Sequence, residues 1–213
     1  MAQWSIDDIE QKVRRLLGFS YDSSISPSDI YDEINRYYQY TFPVEVKPIE
    51  LQSWWEPVIT IGTDTYTMPQ EYTAIIGPAY WDSDEIDISY SPTMFYRNFP
   101  QSVTYTNGKV THGLIYNNQI LLRKIPDDDT AGILKIGALL RPDELDTTDL
   151  TSSPLKQEWG LLLAFGAAEQ MAYDFADDNR LRFILQGKLA ALSQVEDLTK
   201  TQLSYSRTIA RGY

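Results

Sequence analysis

PLKQEWGLLLAFGAAEQMAYDFADDNRLRFILQGKLAALSQVEDLTKTQL, residues 154–203, is the stretch around which the chain is organised. Ser153 offers an N-cap oxygen and Pro154 suits a first helical position, where its missing N–H costs nothing. Leu155, Trp159, Leu162, Leu163, Phe165, Met171 and Phe175 then follow a helical spacing, with Gly160, Ala164, Ala167, Ala168 and Ala172 interspersed. Small residues at that spacing let another helix approach closely and are rarely used on a solvent face. Asp177-Asp178-Asn179 breaks the pattern. Leu181, Ile184, Leu185, Leu189, Leu192, Val195 and Leu198 form the stripe of a second helix, so the stretch reads as an αα-hairpin with a short polar turn.

Upstream, Ser5 and Asp8 make a capping-box start for a helix over 5–17, with Ile6, Ile9, Val13, Leu16 and Leu17 on one face and Gly18 as the stop. Ser26-Pro27-Ser28-Asp29 starts a second helix, continued by Ile30, Ile34, Tyr37 and Tyr38 to about Tyr40 and ended by Pro43. Residues 43–57 read as irregular. Trp54 and Trp55, if extended, point to opposite faces, one buried and one at an interface.

From Val58 the period changes to that of strands: 58–61, 65–68, 73–77, 86–90, 113–116, 119–122 and 132–140, with a short helical turn over 94–98. Asn117-Asn118 is a tight hairpin turn, because Asn tolerates positive φ. The resulting expectation is an α+β protein. A four-helix unit is built from both chain ends (1–56 and 143–203), a β sandwich or barrel-like module (57–142) is inserted, and an extended C-terminal arm follows (204–213).

The chain has 213 residues, a net charge of -12, no cysteine and one histidine. Disulfides, thiolate nucleophiles and Cys-based metal sites are therefore excluded. The acidity argues against non-specific nucleic-acid binding, which needs clustered Lys and Arg. Met1-Ala2-Gln3-Trp4 lacks a basic and apolar leader pattern, and no apolar run reaches bilayer length, so a soluble protein made in the cytoplasm is expected, with no membrane partner. No phosphate loop, nucleophile elbow or zinc motif occurs. His112 in Thr111-His112-Gly113 and the Asp127-Asp128-Asp129 turn carry little functional weight. The expectation is a protein without catalysis, metal or cofactor.

In order along the chain, several segments resemble the head-to-tail adaptor (head-completion) proteins of tailed bacteriophages. Ile6-Asp7-Asp8-Ile9 opens a first helix. Asp29-Ile30-Tyr31-Asp32-Glu33-Ile34-Asn35 resembles the family's I-N-x-A-Y helix, with Arg36-Tyr37 where Ala-Tyr is usual. Gly62-Thr63-Asp64-Thr65-Tyr66-Thr67-Met68-Pro69 resembles its G-x-x-x-Y-x-L-P strand. Ile120 to Pro126 resembles the strand before its last one, although acids follow Pro126 where a second proline is common. Pro154 to Ala172 resembles the alanine-rich third helix.

The resemblance implies a homo-oligomeric, twelve-fold ring beneath the capsid portal protein, at the head–tail junction of the virion. Genomic DNA would pass through the ring without sequence-specific binding, and acids lining the lumen would repel its phosphates. Trp159, Ala164 and Ala168 are then expected in subunit packing. Tyr96, Phe99, Asn117 and Asn118 of the β module are expected to face a downstream tail or nozzle protein.

The C-terminal segment is basic and aromatic in an acidic chain, unlike a disordered tail. The family's C-terminal segment reaches the portal, which implies Tyr205, Arg207, Ile209, Arg211 and Tyr213 as a portal-binding arm. A glycan-binding or other structural tail protein is the alternative, favoured by exposed aromatics in the β module.

Overall fold

A computed structural model describes residues 4–19, 25–100, 108–126, 133–175 and 178–209. The chain divides into two compact units, Met1–Glu50 with Pro142–Tyr213, and Leu51–Arg141. The architecture is mixed α and β.

In the helical unit, α1 (Ile6–Leu17) starts on a reciprocal capping box. The Asp8 N–H donates to Ser5 Oγ (3.2 Å) and the Ser5 N–H to Asp8 Oδ2 (3.1 Å). Gly18 ends the helix in the left-handed region at φ 84°. Helix α2 (Pro27–Arg36) is capped by Ser26, whose Oγ accepts from the Ser28 N–H. It does not stop before Pro43. A π-helical segment, Tyr37–Thr41, carries it into α3 (Phe42–Val46). The widened turn lets the Phe42 N–H reach Tyr37 O and puts Pro43 at the start of a new turn, where its missing N–H is harmless.

The helix expected from Pro154 starts later, as a 3-10 turn (Gln157–Trp159) leading into α5 (Gly160–Phe175). The strip before it holds other elements instead of coiling. Ser152 O accepts the Ile6 N–H (2.7 Å), Tyr38 Oη accepts the Leu155 N–H (3.1 Å), and Gln157 Oε1 accepts the Trp4 N–H.

From Leu162 to Ala168 every residue of α5 is buried. Such a stretch is apolar all round and has to be enclosed by other elements. It packs against α1, α2, the π segment and α6 (Asp178–Ile209). Gly166 admits the Tyr37 ring, since a Cβ there would lie 2.2 Å from Tyr37 Cζ, and Gly187 of α6 admits Phe165 in the same way. On α6, Ile184, Ala191 and Val195 are buried, whereas Leu189 and Leu198, expected on the inward stripe, are exposed.

Helix α6 also continues through Ser204 to Ile209, so the expected extended chain is corrected for those residues. Losing an apolar stripe is not a stop signal, and no glycine or proline occurs between Gly187 and Gly212.

The other unit is one seven-stranded sheet, curled into a half-barrel rather than a sandwich. Its strands are β1 (Gln52–Trp55), β2 (Thr65–Thr67), β3 (Tyr72–Trp81), β4 (Asp84–Ser89), β5 (His112–Tyr116), β6 (Gln119–Arg123) and β7 (Leu134–Leu140), in the order β1-β7-β3-β4-β5-β6-β2. Strand β1 falls in the stretch read as irregular, and it moves the unit boundary from residue 57 to 51. Trp55 is buried and Trp54 half exposed, as opposite faces of a strand require.

Residues 58–61 are not a strand. The Tyr66 hydroxyl accepts the Thr60 N–H and donates to Thr63 O, closing a loop over Gly62. This gives the Gly62-to-Tyr66 spacing a physical reason. All pairings are antiparallel except β4 with β5, which are joined through α4 (Pro92–Asn98).

Buried Asn35 holds the segment that re-enters the helical unit. Its Nδ2 donates to Leu145 O (3.0 Å) and its Oδ1 accepts the Leu145 N–H (2.9 Å), satisfying both backbone groups at once. Replacing Asn35 with Ala leaves both groups buried without partners. Urea denaturation should then show a loss of about 2–4 kcal/mol. A loss too small to resolve would mean that the clamp is not structural.

Candidate interaction surfaces

In the helical unit, Phe42 and Trp159 pack at 4.8 Å between ring centroids, with Tyr38 at 6.0 Å from Phe42. Trp159 is 3% exposed, and Ala164 and Ala168 are fully buried. All three are enclosed by their own chain. The expectation that they pack against a neighbouring subunit is therefore corrected. The small residues do allow close helix approach, but between α5 and its neighbours in the same chain.

Beside this core lies a polar cluster. Lys188 Nζ donates to Glu169 Oε2 (2.7 Å) and Glu45 Oε1 (2.8 Å) and sits 4.9 Å from the centroid of the Tyr37 ring. The Tyr37 hydroxyl donates to Glu45 Oε2 (2.5 Å). Burial, then the Glu45 carboxylate, pushes the Tyr37 phenol well above its ordinary value. For Lys188, burial acts downward, but the hydrogen bonds to Glu169 and Glu45 outweigh it and hold the ammonium above its usual range. The ammonium lies between two carboxylates that would otherwise repel, and it links α3, α5 and α6.

In the β unit, Asn117 and Asn118 have φ of 51° and 56° and form the exposed tip between β5 and β6. Tyr96 and Phe99 are both half-buried and flank the buried Phe95 of α4. Phe95 covers the Arg123 guanidinium at 5.5 Å, and Arg123 itself is held by Asp64 Oδ2 (3.2 Å) and Leu122 O (2.9 Å).

Between α4 and the β4–β5 pair is a groove lined by Asp87, Ser89, Met94, Asn98, Phe99 and His112. His112 opens β5 rather than lying in a loop. Its Nε2 is 3.5 Å from Asp87 Oδ2, and its ring is 4.8 Å from that of Phe99. The tip and α4 are distinct features of the unit; of the groove residues Phe99 was expected at a surface, whereas Asp87, Ser89 and His112 were not, because parallel pairing across a crossover has no local sequence mark. Trp54 and Tyr80 form a further aromatic pair, edge to face at 5.8 Å, with Trp54 46% exposed.

Of the expected arm, Tyr205, Arg207 and Ile209 lie on the last turns of α6, and the positions of their side chains are outside the description. Arg211 and Tyr213 lie outside the described residues. Among the described residues there is no group of three or more His, Asp or Glu placed to hold a metal, and no helix long and apolar enough to cross a membrane. No protein-family model matches the sequence, and no curated protein matches it significantly.

The polar cluster gives stability a defined pH dependence. Unfolded tyrosine ionises near 10.0, while folded Tyr37 keeps its proton to higher pH, and Lys188 behaves in the same sense. The folded state therefore binds more protons in that window, and stability falls as pH rises above about 10. Urea melts on either side of that value should show the loss in the parent protein and a shallower loss in Tyr37→Phe. Parallel declines in the two proteins would exclude Tyr37 as a source.

Proposed function

We propose that the chain is a structural head-to-tail adaptor of a tailed phage, forming a ring beneath the portal that joins capsid to tail and lets DNA pass. The observation that carries the reading is the chain's organisation. A β unit, residues 51–141, interrupts a helical unit made from the two ends of the chain, the same order that the sequence resemblance implies. In this reading α2, the π segment and α3 count as one bent helix, which with α1, α5 and α6 makes a four-helix unit.

Three further features support it. The net charge of -12 suits a channel wall that must not retain DNA. Tyr173, Phe183 and Leu189 are exposed on the helical unit and open to contact with a neighbour. The Asn117-Asn118 tip and the Tyr96 and Phe99 side chains offer a mixed polar and aromatic surface for the next tail component. The end of α6 and the segment after it then carry the portal contact, with Arg207 and Arg211 as charge-assisted donors to carbonyls or carboxylates on the portal.

The second reading, a glycan-binding tail protein, is favoured by one observation, the exposed Trp54 ring set against Tyr80. Stacking on a sugar ring would use such a pair.

A protein ending at Leu203 separates the portal contact from the fold. It should lose only the helical signal of residues 204–209 by circular dichroism and keep its thermal midpoint, yet fail to join portal-containing heads. Attachment at full strength would move the portal contact to another part of the helical unit.

A further inference from the structure

Arg15 and Leu16 at the end of α1 and Asn179, Arg180 and Phe183 at the start of α6 line an open surface pocket of about 350 Å³. It is a basic and aromatic spot on an acidic protein. Arg15 is exposed, Phe183 is 60% exposed, and the Arg180 guanidinium lies over Gly18, where any Cβ would overlap it.

The opposite end of α1 carries the complementary surface. The Ile6 N–H donates to Ser152 O, which ties the segment 143–152 to the helix start. Asp143, Glu144, Asp146 and Asp149 are exposed there, and Leu150 is 49% exposed beside them. The segment is ordered by its own hydrogen bonds. Asp146 Oδ1 accepts from the Thr148 N–H (2.8 Å) and hydroxyl (2.7 Å), and Asp149 Oδ1 accepts from the Thr151 N–H (2.9 Å) and hydroxyl (2.6 Å). These bonds, the hydroxyl ones first, hold both carboxyls below their usual range, so they stay ionised at neutral pH.

The acidic segment is tied to α1 at Ile6 and the pocket begins nine residues on at Arg15, about 13.5 Å along a rigid helix at 1.5 Å per residue, so the two surfaces lie at opposite ends of the helix and do not meet within one copy. We propose that the acidic Asp143–Leu150 turn of one copy seats in the Arg15–Arg180–Phe183 pocket of the next. Leu150 meets the Phe183 ring, and the aspartates meet the two guanidiniums. The contact is heterologous, so it repeats from copy to copy and closes into a ring or runs on as a filament. It rests on the adaptor reading only for its closure into a ring.

Sedimentation velocity of the full chain over a concentration series, at low and at high salt, tests it. Self-association should appear and weaken with salt. Arg15→Glu/Arg180→Glu alone, and Asp143→Lys/Asp146→Lys/Asp149→Lys alone, should each weaken it by about tenfold or more. An equimolar mixture of the two should restore it, because each reversed surface then faces its reversed partner. If circular dichroism shows the triple variant unfolded, Leu150→Lys, which leaves the turn hydrogen bonds in place, should give a comparable loss. A monomer at every concentration overturns the proposal, as does association undiminished in the pocket variant. Loss of binding to portal-containing heads by the parent chain would instead sink the adaptor reading, whatever these variants do.

Discussion

The enclosure of α5 is the constraint from which the rest of the helical unit follows. Seven consecutive buried residues, Leu162 to Ala168, leave this part of the helix no solvent face. Each side must therefore be covered, and elements from both ends of the chain cover it. The covering is close because Gly166 and Gly187 remove side chains where Tyr37 and Phe165 press in. Close approach leaves little room for error, since methylene-sized changes in a dense interior shift neighbours or strain rotamers. The chain's two ends are thereby bound to one another, and the β unit is carried between them in sequence.

Polar groups fix the arrangement where apolar packing alone would permit sliding. Asn35 reads one backbone position, Leu145, through both of its hydrogen-bonding groups. Lys188 sits between Glu45 and Glu169 on different helices and is only 11% exposed. A paired, nearly enclosed charge is weak evidence for net stability, but removing one member leaves an uncompensated charge, so the pairing selects one register of α6 on α3 and α5.

Much of the fold was legible where the signal is local. Ser5 with Asp8, Ser26 with Pro27, Gly18 and the Asn117-Asn118 turn each act within a few residues, and each element appears with the expected cap or φ. The misses have a common cause in tertiary pairing. Residues 52–55 carry no strand period but pair with β7 in the sheet. Pro43 is a stop signal by itself, and the π segment before it cancels that signal. Pro154 looks like a helix start, but its strip is held to α1 and Tyr38 instead.

The candidate surfaces were less legible than the fold. Trp159, Ala164 and Ala168 were recognised as close-packing residues, but periodicity does not distinguish packing within a chain from packing between chains. His112 gained a partner in Asp87 only through the parallel register of β4 and β5. The Arg15–Arg180 pocket joins residues far apart in sequence, and no local pattern marks it.

The adaptor reading ties these features to one role. Both chain ends build the unit proposed to meet the portal, the interrupting β unit offers its tip and α4 to the tail, and the acidic balance keeps DNA from adhering. Native mass spectrometry of the intact chain mixed with isolated capsid portals tests this most directly. The account predicts a complex in which many copies of the chain load cooperatively onto one portal as a closed ring. Portals that remain free of the chain at every ratio would contradict it.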